Sequence, residues 1–189
     1  MSESRIVSEF STNRLDGEPV PEDVKVLLAH REEFAERTGI ELNETSGWAP
    51  WLDTSYLSEA DRADPGIAAN VRAIAEVCGL IAFIAAWEDG EYFGYWRGPD
   101  KRPVAASPLV RLDNEGQFSF CAGPAFAEAV LGQEYSEFAE MRDWLRSLGI
   151  AIRADTVEDL EYPNESPSPD ILHKELYYRY LGKAGRHSP

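Results

Sequence analysis

Leu80-Ile81-Ala82-Phe83-Ile84-Ala85-Ala86-Trp87 runs into Glu88-Asp89-Gly90 and returns as Glu91-Tyr92-Phe93-Gly94-Tyr95-Trp96-Arg97, and this stretch decides the fold class. The first run is apolar without interruption and strand-sized. A strand covered on both faces has that pattern, because neither side of the pleat meets water. Asp89-Gly90 is a hairpin signal: a tight turn between strands needs positive φ, which glycine adopts without a steric penalty. The return run is rich in aromatic rings, which suit a pleated, half-buried surface. Gly98-Pro99-Asp100 then turns the chain.

Towards the C-terminus, Leu109 to Asp113 alternates, with Val110 and Leu112 on one face and Arg111 and Asp113 on the other. Asn114-Glu115-Gly116 turns, and Gln117 to Cys121 comes back with Phe118 and Phe120 on one face. Two successive hairpins predict a largely antiparallel sheet. A helix is expected from Pro124, with Gly123 as N-cap and Gly132 as its stop, and a longer one from Ser136 to Gly149 that buries Phe138, Met141, Leu145 and Leu148. Residues 150–154 read as a short edge strand. Towards the N-terminus, a helix starts at Pro21, carries Val24, Leu27, Leu28, Ala35 and Thr38 inward, and stops at Gly39. Asp64-Pro65 opens another, with Asp64 as N-cap and Ile67, Val71, Ile74, Ala75 and Cys78 as its buried stripe. Between them, residues 41–57 hold Trp48, Pro50, Trp51 and Tyr56, too aromatic a loop to stand in water. It reads as a lid across the core or as a binding surface.

The prediction is an α+β fold: a largely antiparallel twisted sheet of about four to six strands flanked by helices. Residues 1–154 form the main body, with residues 1–19 loosely structured. Residues 155–189 are an acidic linker and a C-terminal helix that packs back through Leu172, Leu176 and Tyr180.

Charge narrows the function. Eighteen Lys and Arg stand against 34 Asp and Glu, a net charge of −16. Nucleic-acid binding needs cations to neutralise phosphates, and docking on anionic lipid needs a basic patch. Neither partner is expected. The polar start lacks the pattern of a secretory signal, and no apolar run reaches the length of a membrane span. Cys78 and Cys121 read as buried thiols in a reducing compartment. A cytoplasmic protein is the expectation.

No catalytic constellation, metal site or cofactor motif is legible. His30, His173 and His187 form no i, i+4 pair, and there is no nucleophile elbow or phosphate-binding loop. Glu88, Asp89 and Glu91 cluster at the hairpin tip, either as a cation site or acid pair or as a solvated turn; the spacing does not match a calcium loop. Trp96-Arg97-Gly98-Pro99 either grips an anion or ends a strand. Asp155, Glu158, Asp159, Glu161 and Glu165 surround Tyr162 with no basic residue among them. They are the preferred contact for a basic partner, with Tyr162 as aromatic anchor.

The order of these phrases carries a resemblance. Glu33-Phe34-Ala35-Glu36-Arg37-Thr38-Gly39 leads to the aromatic loop, then to Ile81–Trp87, Asp89-Gly90 and Gly94-Tyr95-Trp96-Arg97-Gly98-Pro99. Ser107-Pro108-Leu109-Val110-Arg111-Leu112-Asp113, Glu115-Gly116 and Gly123-Pro124-Ala125-Phe126 follow. Over residues 21–148 this resembles the SUKH superfamily, which includes fungal cell-wall-assembly regulators and many bacterial immunity proteins. Phe126 and Leu131 stand where the family's helix carries Phe and Leu. Ala125 stands in place of its Ser, and Glu41-Leu42-Asn43 replaces its Leu-Pro-x-x-Tyr phrase, with Tyr56 much later. The resemblance implies binding rather than catalysis: an immunity protein that neutralises a cognate basic toxin, such as a nuclease, by occlusion. The alternatives are a general regulatory or scaffold module of the same fold, or a small-ligand-binding protein or enzyme built on Trp48, Trp51 and Trp96.

Overall fold

The structure, a computed structural model, describes residues 3–133 and 137–184. It is an α+β fold whose centre is an antiparallel meander of five strands in sequence order: β1 (Ile40–Leu42), β2 (Ile81–Trp87), β3 (Tyr92–Trp96), β4 (Leu109–Leu112) and β5 (Phe118–Phe120). The β2–β3 hairpin forms as its sequence dictates, with Gly90 at φ 83° in the turn. β2 is buried on both faces over its first five residues.

The two faces gather separate cores. Ala82, Ile84, Ala85, Phe93, Tyr95 and Leu109 point into the larger one. Ile81, Phe83, Trp96, Val110, Leu112 and Phe118 point into the other. Alternation breaks once: Phe83 pairs with Gly94 and Ala85 with Phe93, so Ile84 is an extra, bulged residue. The bulge sends Ile84 and Ala85 to the same core and gives the Ile84 carbonyl to the Asn43 N–H at 3.0 Å, which seats β1.

The larger core is covered by α1 (Glu3–Arg14), α2 (Glu22–Ala29), α3 (Arg31–Thr38), α6 (Phe126–Leu131) and α7 (Phe138–Ser147). The other is covered by α5 (Pro65–Cys78), α8 (Pro169–Ala184) and the aromatic loop. Trp51 lies 4.1 Å from the ring of Phe83, and Trp48 and Tyr92 close the cluster. α4 (Glu59–Ala63) is held at its start by a capping box between Ser58 and Asp61.

Several expectations need correction. Residues 3–14 are a helix rather than loosely structured, because Phe10 and Leu15 are fully buried and tie the N-terminal segment to the core. The helix expected from Pro21 to Gly39 is two, broken at His30. In one continuous helix Ala35 would stand about 20° around the axis from Leu28, on the buried stripe; with the break, Phe34 is buried and Ala35 only half-buried. On α5 the buried positions are Ala69, Ala73, Val77 and Cys78, since small residues let the helix approach α8. Asp64 caps α5 as expected, accepting from the N–H groups of Gly66 and Ile67. α6 is preceded by Ala125 rather than capped by Gly123. Its cap comes from afar: Asp23 accepts from the Ala127 N–H at 3.0 Å. The expected start at Ser136 lies outside the described residues.

Residues 150–154 form no strand. Side chains take the backbone groups that a neighbouring strand would have taken. Arg146 donates to the carbonyls of Ile152 and Ala154, and buried Glu128 accepts from the Arg153 N–H at 3.0 Å.

Candidate functional site

The acidic segment after Asp155 is not a linker but a strap bound along its length to the rest of the molecule. Arg142 and Arg146 hold the carbonyl and carboxylate of Asp155. Thr156 and Asp159 form a capping box that closes a single turn at Val157–Asp159. The N–H groups of Thr156 and then Asp155 hold the Asp159 carboxyl below its ordinary pKa. Leu160 is buried in the larger core. The Gly123 N–H donates to the Glu161 carbonyl at 2.9 Å, Arg102 pairs with Glu165 at 2.8 Å, and Trp96 Nε1 donates to the Pro167 carbonyl at 3.1 Å. α8 begins immediately afterwards.

The residues nominated from sequence therefore divide. Asp155, Asp159, Glu165 and Glu91 are committed to internal partners; Glu91 lies 3.3 Å from Arg111. That pair is within ion-pair distance but not hydrogen-bond geometry, since Glu91 Oε2 accepts no hydrogen bond. Glu88, Asp89, Glu158 and Glu161 are exposed and pair with none of the described residues. Tyr162 is 62% exposed.

The fold brings the strap and the hairpin tip to one place. Trp87, at the end of β2, and Tyr162, on the strap, line the same hollow of about 430 Å³, with Arg111, Phe120 and Gln133. Arg111 donates to Gln133 at 2.9 Å. Tyr162 is shared with a second hollow of about 410 Å³, lined by Pro108, Pro124, Glu161, Pro163 and Glu165. Sequence reading missed Arg111, Trp87 and these prolines. Arg111 was visible only as a polar residue in an alternating strand, and only the β3–β4–β5 register places it beside Glu91.

The other candidates are accounted for structurally. Arg97 spends its donors on Asp16, Glu18 and the Arg102 carbonyl, so it ends a strand rather than gripping a ligand. His30 is exposed at the α2–α3 break, and His187 lies outside the described residues. His173 is half-buried on α8, with Nε2 buried and unpartnered. Cys78 and Cys121 are free and buried. Among the described residues no group of three His, Cys, Asp or Glu side chains is placed to hold a metal, and no helix is long and apolar enough to cross a membrane.

No family model, curated protein or solved structure matches this chain.

Proposed function

We propose that this protein is a non-catalytic binding protein that captures a basic protein partner on the face built from the strap and the β2–β3 hairpin. In line with its resemblance to the SUKH superfamily, the partner is a cognate toxin, neutralised by occlusion in the cytoplasm. The observation that carries this reading is a division of labour in the strap. Its backbone and three of its five carboxylates, Asp155, Asp159 and Glu165, are bound to the protein, while Glu158, Glu161 and Tyr162 are exposed. Tyr162 and Trp87 line one hollow, and Glu161 and Glu88 are their neighbours in the chain. Unpaired carboxylates carried on a backbone that is already bound to the protein form a surface that meets a cationic patch without first ordering the chain beneath it.

Net charge supports the same reading. Many of the cationic side chains among the described residues already sit in ion pairs, as with Arg31–Glu44, Arg97–Glu18 and Arg146–Asp155, and the carboxylates outnumber them to leave a net charge of −16. Such a field steers a basic partner into encounter. Calorimetric titration with the product of the adjacent gene tests the proposal. One-to-one binding that weakens with salt, and weakens further when Glu88, Asp89 and Glu161 become amides, is expected. Binding indifferent to both changes contradicts it.

A further inference from the structure

We propose that the 410 Å³ hollow between the strap and the β3–β4 connection seats one arginine side chain of the captured protein; the inference rests on the reading above and names the chemistry of its contact. The hollow is lined by Pro108, Pro124 and Pro163 together with Tyr162, Glu161 and Glu165. Glu165 is already neutralised by Arg102 at 2.8 Å. Glu161 is exposed and has no such partner among the described residues. One uncompensated negative charge remains, and no cationic side chain lines the hollow among the described residues.

The neighbouring hollow across Tyr162 differs in this respect. It already contains Arg111, so a second cation there meets like charge. Of the two, only the proline-walled hollow combines an unsatisfied carboxylate with flat apolar faces.

Those faces select the kind of cation. A guanidinium is planar, weakly hydrated and able to stack on an aromatic ring while forking onto a carboxylate. A lysine ammonium is a compact, strongly hydrated charge and gains less from proline and tyrosine walls. The seat is also formed in advance. Leu160 is buried, and the Gly123–Glu161 bond at 2.9 Å fixes the backbone that carries both Glu161 and Tyr162. A guest does not have to order it.

The test is an NMR titration of the full chain with blocked Gly-Arg-Gly, Gly-Lys-Gly and Gly-citrulline-Gly peptides. Saturable shifts at Glu161 and Tyr162 are expected from the arginine peptide in the millimolar range. The citrulline peptide, alike in shape but uncharged, is expected to bind at least about tenfold more weakly. The lysine peptide falls between them. Glu161→Gln and Tyr162→Ala, both exposed positions, each abolish the saturation while the circular dichroism stays unchanged. Shifts that citrulline reproduces, that survive Glu161→Gln, or that centre on Glu88 and Asp89 overturn the inference. Titration of these variants with the basic protein partner separates the two levels of the argument. Capture that survives Glu161→Gln and Tyr162→Ala but is lost in Glu88→Gln with Asp89→Asn removes the arginine seat and leaves the acidic capture face. Absence of capture by the unaltered chain removes both.

Discussion

At Gly94 one methyl group decides whether β2 and β3 can lie at their observed separation. A Cβ there would meet Ile81 Cγ2 at 2.6 Å, the Ala82 carbonyl at 2.7 Å and the Phe83 Cα at 2.8 Å. Two of these atoms are backbone, so no rotamer change relieves the clash. Gly94→Ala is expected to destabilise the fold by about 1–3 kcal/mol or more, the usual cost of overpacking a core. It is read from the midpoint of urea unfolding, and an unchanged midpoint contradicts the close approach of β2 and β3. Burial pushes the Cys78 and Cys121 thiols up to about 12; near Cys121 the Arg111 guanidinium opposes this and Glu91 adds to it. Neither cysteine should react with a thiol reagent near neutral pH in the folded protein, and both should react in denaturant. Rapid modification of the native chain would show that one of them is reachable. The burial of these thiols was legible in their apolar neighbours. The requirement for Gly94 was not, because it arises from how closely β2 approaches β3 at Ile81, Ala82 and Phe83, and a uniformly apolar run carries no mark of that approach.

Among the elements, the strap carries part of the proposed face and leads into α8, which covers the smaller core on the other face of the sheet. Trp96 is 1% exposed, and its Nε1 is the donor to the Pro167 carbonyl. Trp96→Phe removes that bond and leaves a small cavity, a loss of about 1–3 kcal/mol. Proteolysis within residues 155–168 should accelerate more than elsewhere, and uniform acceleration would mean that the strap is not held there. α8 carries a second marker. The His173 ring lies 5.8 Å from Phe118, and burial lowers its pKa below the ordinary 6.5. The unfolded chain then binds the proton more tightly than the folded one. Stability is full above about pH 6.5 and declines as the pH falls through that value towards the lower folded pKa. His173→Phe should flatten this decline in urea midpoints compared at about pH 7.5 and about pH 5.5, and parallel declines in the two proteins would contradict the assignment.

The elements also show what sequence could convey. The β2–β3 and β4–β5 hairpins, α5, α7 and α8 announce themselves through period and through Asp-Gly, Asp-Pro and Gly boundaries. α1 carries few large apolar residues and gives a weak periodic signal. The break at His30 has neither proline nor glycine to mark it. Residues 150–154 have the composition of a strand, but Arg146 and Glu128 supply its hydrogen bonds from elsewhere in the chain. The strap reads as a linker because prolines and carboxylates dominate it, while its attachment depends on Leu160 and on donors some 40 to 70 residues earlier, at Gly123, Arg102 and Trp96.

For the whole molecule, the sheet divides two jobs. One face buries α5, α8 and the aromatic loop. The other carries the larger core and, near β5, the hollows beside the strap. The sequence nominated both acidic clusters, yet only folding shows that Trp87 and Tyr162 share one hollow. Folding also shows that four of the nominated carboxylates serve the protein itself. A molecule of net charge −16 stays dispersed through self-repulsion and attracts cations over distances set by the Debye length. The capture of a basic partner should therefore begin as a long-range electrostatic event. Stopped-flow measurement of the association rate with the basic partner, across a series of salt concentrations, tests this most directly. The account predicts a rate that falls by about tenfold or more between low and physiological salt, with a shallower fall when Glu88, Asp89, Glu158 and Glu161 are neutralised together. A rate that is slow and insensitive to salt in both proteins would contradict it.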